Sequence, residues 1–181
     1  SAQATRVRLF ISGHSLTDEP FPDHLAAIGQ SLGTPLDWRR QYLEGSSIKT
    51  RSADLDAVAG GFAGCDALVI TEQHSVLGGL IWNDTVRCLR AYHDRFIAAN
   101  PRGVTYFYEP WLGISDLDDP RRWIAYERAA APIWRGVVTR VNLSLEAEGR
   151  SDRIVPLPAA SALAALVERA TSPAGVSGLS C

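Results

Sequence analysis

Short β-forming runs alternate with helical stretches along almost the whole chain, and that alternation limits what it can fold into. Residues 7–12 alternate apolar and polar side chains and are rich in β-formers. Residues 67–70 are a short continuous apolar run, as in a strand buried on both faces. Residues 36–43, 104–108 and 153–157 complete a set of five strands. Helical spacing marks 22–32 through Leu25, Ile28 and Leu32, with Gly33 ending it. It marks 79–100 through Leu80, Ile81, Val86, Leu89, Phe96 and Ile97, closed by Asn100-Pro101-Arg102-Gly103. A further helix is expected over 120–145, with Asp119 as N-cap and Pro120 at the first helical position. Pro132 is expected to kink or break it. The last helix is expected over 159–171. Strands that alternate with helices form a parallel sheet with helices on both faces. Ligand sites in such sheets lie outside the carboxyl ends of the strands.

The chain has 181 residues, 46% of them hydrophobic and 21% charged, an ordinary globular balance. One domain is expected over 1–171, followed by a loose Ser/Gly/Pro-rich tail over 172–181. A net charge of −2 argues against a nucleic-acid surface or a polybasic membrane patch. No apolar run reaches the ~18 residues that a membrane-spanning helix needs. Methionine is absent, and the chain opens Ser1-Ala2-Gln3-Ala4. Ala-x-Ala is the pattern of a signal-peptidase site, which sets up the expectation of a periplasmic or secreted protein. An Ala-rich tip of no significance is the alternative. The three cysteines have neither a disulfide nor a metal-ligand spacing. Cys65 and Cys88 are expected in the core, and Cys181 is given no role. His24 and His93 fall on helices and read as structural or surface residues.

Four loops follow the first four strands. Gly13-His14-Ser15-Leu16-Thr17-Asp18 can present the Ser15 hydroxyl at the top of the sheet, its N–H pointing into the same space. Alternatively, Ser15 or Thr17 merely begins a turn. Gly45 allows close backbone approach to a ligand, or is simply a turn residue. In Thr71-Glu72-Gln73-His74-Ser75, the Gln73 amide can donate to an oxyanion. A solvated rim is the alternative. His74 can be read as a base or a metal ligand, although no metal-ligand spacing supports the latter. In Glu109-Pro110-Trp111-Leu112-Gly113, Trp111 suits stacking on a sugar or acyl group, or ordinary packing.

Taken in order, these loops resemble the conserved blocks of the SGNH/GDSL hydrolase family. Gly13 to Asp18 resembles the first block, with His14 in place of the usual acidic or Asn residue. Gly45 matches the Gly of the second. Gln73 stands where the third block has Asn, and Asp66 to Gln73 resembles a branch with a Gln-Glu-Gln-type sequence there. Tyr108-Glu109-Pro110-Trp111 and Val155-Pro156-Leu157-Pro158-Ala159 also resemble that branch. The resemblance spans roughly residues 6 to 170. It implies a three-layer α/β/α, flavodoxin-like fold with a five-stranded parallel sheet. It also implies a serine esterase that removes a small acyl group, acetyl by family analogy, from a carbohydrate or similar polar ester. Ser15 would be the nucleophile. The Ser15 and Gly45 N–H groups and the Gln73 side chain would form the oxyanion hole. Glu72 and Trp111 are expected on the substrate side, and no metal or organic cofactor is implied.

One departure matters. The family's Asp-x-x-His block, which brings the base, has no counterpart after residue 150, and no histidine follows His93. The favoured expectation is that the base lies on a separate C-terminal fragment carrying Asp-x-x-His. The alternatives are a non-catalytic glycan- or partner-binding descendant, or His74 or His14 acting as base from a new position. Acyl transfer to a sugar would use the same residues as hydrolysis.

Overall fold

A computed structural model of the chain describes residues 5–172. The Ser1-Ala2-Gln3-Ala4 start, and the tail from residue 173 with Cys181, lie outside the described residues. In chain order the elements are β1 (Val7–Gly13), α1 (Phe21–Ser31), β2 (Leu36–Tyr42), α2 (Ile48–Ser52), α3 (Leu55–Ala59), β3 (Ala67–Thr71), α4 (Thr85–Ala99), β4 (Val104–Tyr108), α5 (Arg121–Ala147), β5 (Ile154–Leu157) and α6 (Ala159–Ala170). The strands form one five-stranded sheet in the order β2-β1-β3-β4-β5. Every pairing is parallel.

Alternation along the strands sorts the core into two layers. Phe10, Leu68, Ile70, Phe107 and Ile154 face one side and pack on Ile48 of α2, Leu89, Tyr92 and Phe96 of α4, and Trp134, Val138 and Val141 of α5. Leu9, Ile11, Ala67, Val69 and Tyr108 face the other side, against Phe21 and Leu25 of α1 and Ala159 of α6. Trp123, Ile124 and Ala164 join α5 to α6 around the sheet. Cys65 and Cys88 are buried free thiols within the first layer.

Several elements differ from the sequence expectation. The helix expected over 79–100 is two pieces. Gly78–Trp82 is a π-turn, and α4 begins only at Thr85, after Asp84 turns left-handed at φ 51°. Asp tolerates that conformation because its short polar side chain bonds locally. Leu80 and Ile81, expected in the buried stripe, are 55% and 61% exposed. In α1 the expected stripe holds only at Leu25, which packs with Phe21 on the sheet, while Ile28 and Leu32 are exposed. Pro132 does not break α5. Pro132 and Arg128 both face solvent, so water can satisfy the carbonyl that the proline leaves unpaired. Asp119 sits one position before the N-cap, Pro120, and its carboxylate accepts the Arg121 N–H at 3.3 Å. The short helices α2 and α3 were not anticipated, because five residues are too few for a periodic signal.

Candidate active site

Strand register brings four loops to one edge of the sheet. Gly13 pairs with Tyr42, Ser12 with Ile70, and Thr71 with Tyr108. The residues that follow these strand ends, including Ser15, Gly45, Gln73 and Glu109, therefore leave the sheet along the same carboxyl edge. The strand order reverses between β1 and β3, which is where ligands bind in open parallel sheets.

The first turn is tightly built. A Cβ on Gly13 would stand 2.1 Å from Thr17 Oγ1, so only glycine allows Thr17 to fold back over the strand end. The Thr17 N–H and hydroxyl both donate to the His14 carbonyl, at 2.8 and 3.0 Å. His14 itself is buried. Its Nδ1 accepts from the Leu16 N–H at 3.5 Å, which leaves Nε2 to donate to the Glu72 carbonyl at 2.8 Å. Burial pulls its pKa down, so it stays neutral. His14 thus fastens the Ser15 turn to the Gln73 loop. With both ring nitrogens engaged it is not a free base. Ser15 is exposed, and its hydroxyl makes no hydrogen bond among the described residues.

Gly45 adopts φ +63°, a conformation that side chains resist, although nothing lies within 4 Å of where its Cβ would be. Glycine is required here for backbone conformation, whereas at Gly13 it is required for space. The Gln73 Nε2 donates to the Gly45 carbonyl at 3.4 Å, and its Oε1 accepts from Asn83 Nδ2 at 3.3 Å. Asn83 therefore fixes which end of the amide faces Gly45. One N–H of the Nε2 group is left for a ligand. The Ser15 and Gly45 N–H groups have no protein acceptor among the described residues. Two free N–H groups and an oriented amide on neighbouring loops make a donor set suited to an oxyanion.

Glu72 is fully buried beneath these loops. Its carboxylate accepts the N–H groups of Ile48 (3.0 Å) and Gln73 (2.7 Å) and the Thr85 hydroxyl (2.7 Å). Burial raises its pKa while these donors lower it. Glu72 supports the loops from below, where the sequence reading had placed it on the substrate side. Trp111 is half-buried against Tyr108, with ring centres 5.6 Å apart. The Tyr108 hydroxyl is pushed up to about 12 by burial. Glu109 is also fully buried: one carboxyl oxygen accepts from the Ser161 hydroxyl at 3.2 Å, and the other has no partner among the described residues. Burial pushes its pKa up, toward the neutral acid. Trp82, 72% exposed, stands three positions before α4, beside Asn83. The expectation of one helix over 79–100 hides this residue, and the Asn83-Asp84 pair is the sequence signal of the break.

His74 is exposed on the rim. His93 lies far along the sheet toward the amino ends of the strands, bonded to Thr105 and Asp152. Among the described residues no three His, Cys, Asp or Glu side chains are grouped as a metal site requires. No described helix is long and apolar enough to cross a membrane.

No family model matches this sequence, and no curated protein matches it significantly. Solved structures do match. A DUF4886 family protein from Bacteroides uniformis superimposes with a TM-score of 0.60 at 10% identity, over 76% of this chain and 64% of that one. A family 3 carbohydrate esterase from Clostridium thermocellum gives 0.54 at 11% identity, over 84% and 77%. A GDSL-like lipase from Parabacteroides merdae gives 0.51 at 13% identity, over 89% and 93%. The chain thus spans under two thirds of the Bacteroides protein's length. At these identities the shared property is the fold: a three-layer α/β/α sandwich found in carbohydrate esterases and GDSL-like lipases.

Proposed function

We propose that the chain is the core of a serine esterase of the SGNH type, which removes a small acyl group from a carbohydrate or similar polar ester. The observation that carries this reading is that neighbouring loops at one sheet edge hold an exposed, unbonded Ser15 hydroxyl, the free Ser15 and Gly45 N–H groups and the Gln73 amide bonded to Gly45. Ser15 Oγ attacks the ester carbonyl carbon as a base takes its proton. The carbonyl oxygen becomes an oxyanion held by the three donors. The alkoxide leaves with the proton, and water hydrolyses the acyl-serine by the same route. The substrate class comes from the resemblance and from what the fold neighbours are called, not from the fold itself.

The base is proposed to be a histidine of an Asp-x-x-His block, which this sequence does not carry after residue 150; His74, exposed on the rim beside Gln73, is the alternative base. His14 is committed on both nitrogens, and His93 lies at the other end of the sheet. A second reading, a non-catalytic glycan binder, is favoured by one observation: no described histidine is bonded to Ser15. Wild-type p-nitrophenyl acetate turnover by the full-length gene product separates the two, because the binder shows none, and Ser15→Ala then tests the nucleophile. The esterase reading expects p-nitrophenyl acetate turnover to fall to background, and turnover retained by the variant rejects Ser15 as nucleophile. Product analysis with competing sugar acceptors separates hydrolysis from acyl transfer.

A further inference from the structure

Beneath the site lies a charged group that the mechanism above does not use. Arg51, in α2, is 1% exposed. Its Nε donates to Ser12 Oγ at 3.0 Å. Its Nη1 donates to the Ser46 carbonyl at 3.0 Å and to Ser46 Oγ at 2.8 Å, and its Nη2 donates to the Thr71 carbonyl. Ser12 is the penultimate residue of β1, which leads to Ser15; Ser46 directly follows Gly45, and Thr71 precedes Glu72 and Gln73. One planar guanidinium thus reaches all three loops that carry the oxyanion donors.

The surroundings keep it in place. The Arg51 carbonyl accepts from Gln41 Nε2 at 3.0 Å, and Gln41 Oε1 accepts the Ser12 and Tyr92 hydroxyls. No carboxylate pairs directly with Arg51 among the described residues. Its charge is instead offset by the field of buried Glu72, while burial draws its pKa down to about 10. A buried cation is costly, and if the need were only to fill space an apolar residue would serve. A rigid fork of donors gives fixed spacing among several acceptors, which a lysine ammonium does not.

We propose that Arg51 is a positioning residue: its fork sets the spacing of the Ser15, Gly45 and Gln73 loops and so the geometry of the oxyanion hole. The inference rests on the esterase reading, and its test is chosen to be separable from it. The test variant is Arg51→Lys in the full-length protein, which keeps the charge and loses the fork. Hydrogen exchange at the bonded N–H groups of Thr17, Ser46 and Gln73 is expected to accelerate at all three together. The kcat for p-nitrophenyl acetate is expected to fall by about tenfold or more, within the ~10²–10³ that losing a whole oxyanion donor costs, with KM little changed. Unchanged exchange at those three positions, or unchanged kcat in a folded variant, overturns the proposal. Should Arg51→Lys not fold, Ser12→Ala and Ser46→Ala each remove one acceptor. Each is then expected to lower kcat by a smaller factor, and wild-type kcat in both overturns the proposal. Absence of p-nitrophenyl acetate turnover in the wild-type protein would instead sink the esterase reading, and the exchange result would still decide whether Arg51 holds the loops.

Discussion

At the residue scale, the site depends on two glycines with different tasks. Gly13 leaves room for Thr17 Oγ1, which would lie 2.1 Å from an added Cβ. Gly13→Ala is therefore expected to destabilise the protein by about 1–3 kcal/mol through overpacking. Adding Thr17→Ala, which removes the clashing atom, should recover part of that loss, because the two residues touch. Denaturant titration of the two single variants and the double variant checks this, and strictly additive losses would contradict it. The place of Ser15, Gly45 and Gln73 at the carboxyl edge of the sheet was legible in the sequence because each lies within three residues of a strand end. Arg51 was not. An arginine in a short polar segment reads as a solvated surface residue, and its acceptors come from β1, the loop after β2 and the end of β3, which only the fold brings together. Glu72 was misplaced for the same reason: its donors come from Ile48 and Thr85, distant in sequence.

At the element scale, the sheet was readable and the helix faces were less so. Five strands and their parallel arrangement followed from alternating and continuous apolar runs, which register alone converts into two buried layers. The 79–100 stretch misled because Leu80 and Ile81 are apolar and lead to the buried Leu89 and Phe96 with no Gly or Pro between them. The Asn83-Asp84 pair between them was the available sign of a break, and Asp84 does turn left-handed there. The two halves should respond differently to substitution. Leu89→Ala, in the fully buried half, is expected to cost about 2–5 kcal/mol. Leu80→Ser, on the exposed π-turn, should change stability by less than about 0.5 kcal/mol. Comparable losses from the two would mean that the π-turn is packed as one helix with α4. Pro132 shows the converse case, in which a strong breaker is overridden because its neighbours Ala130, Ala131 and Trp134 anchor α5 in the core.

At the scale of the whole molecule, the two ends of the sheet do different work. The carboxyl edge gathers the candidate site. Toward the amino edge a buried polar cluster pins the layers together. His93 of α4 bonds the Thr105 hydroxyl of β4 at 2.8 Å and the Asp152 carboxylate at 2.7 Å. Arg150 beside Asp152 holds that carboxyl well below the usual range. His93 is pulled below its ordinary 6.5 because burial outweighs the favourable Asp152 contact. The fold therefore keeps the ring neutral, while the unfolded chain takes up a proton as pH falls through 6.5. The stability this group contributes is present above pH 6.5 and is lost below it. Between pH 7.5 and 5.5, wild-type protein should lose more unfolding free energy than His93→Gln, measured by urea titration. Equal slopes would contradict the neutral, buried ring. The central claim concerns the other edge: the nucleophile and oxyanion hole are assembled from the Ser15, Gly45 and Gln73 loops. Its most direct test is a fluorophosphonate probe reacted with the full-length protein, with the adduct mapped by peptide mass spectrometry. The account predicts a single adduct on Ser15, slower to form in Gln73→Ala and absent in Ser15→Ala. No adduct, or an adduct at another residue, would contradict it.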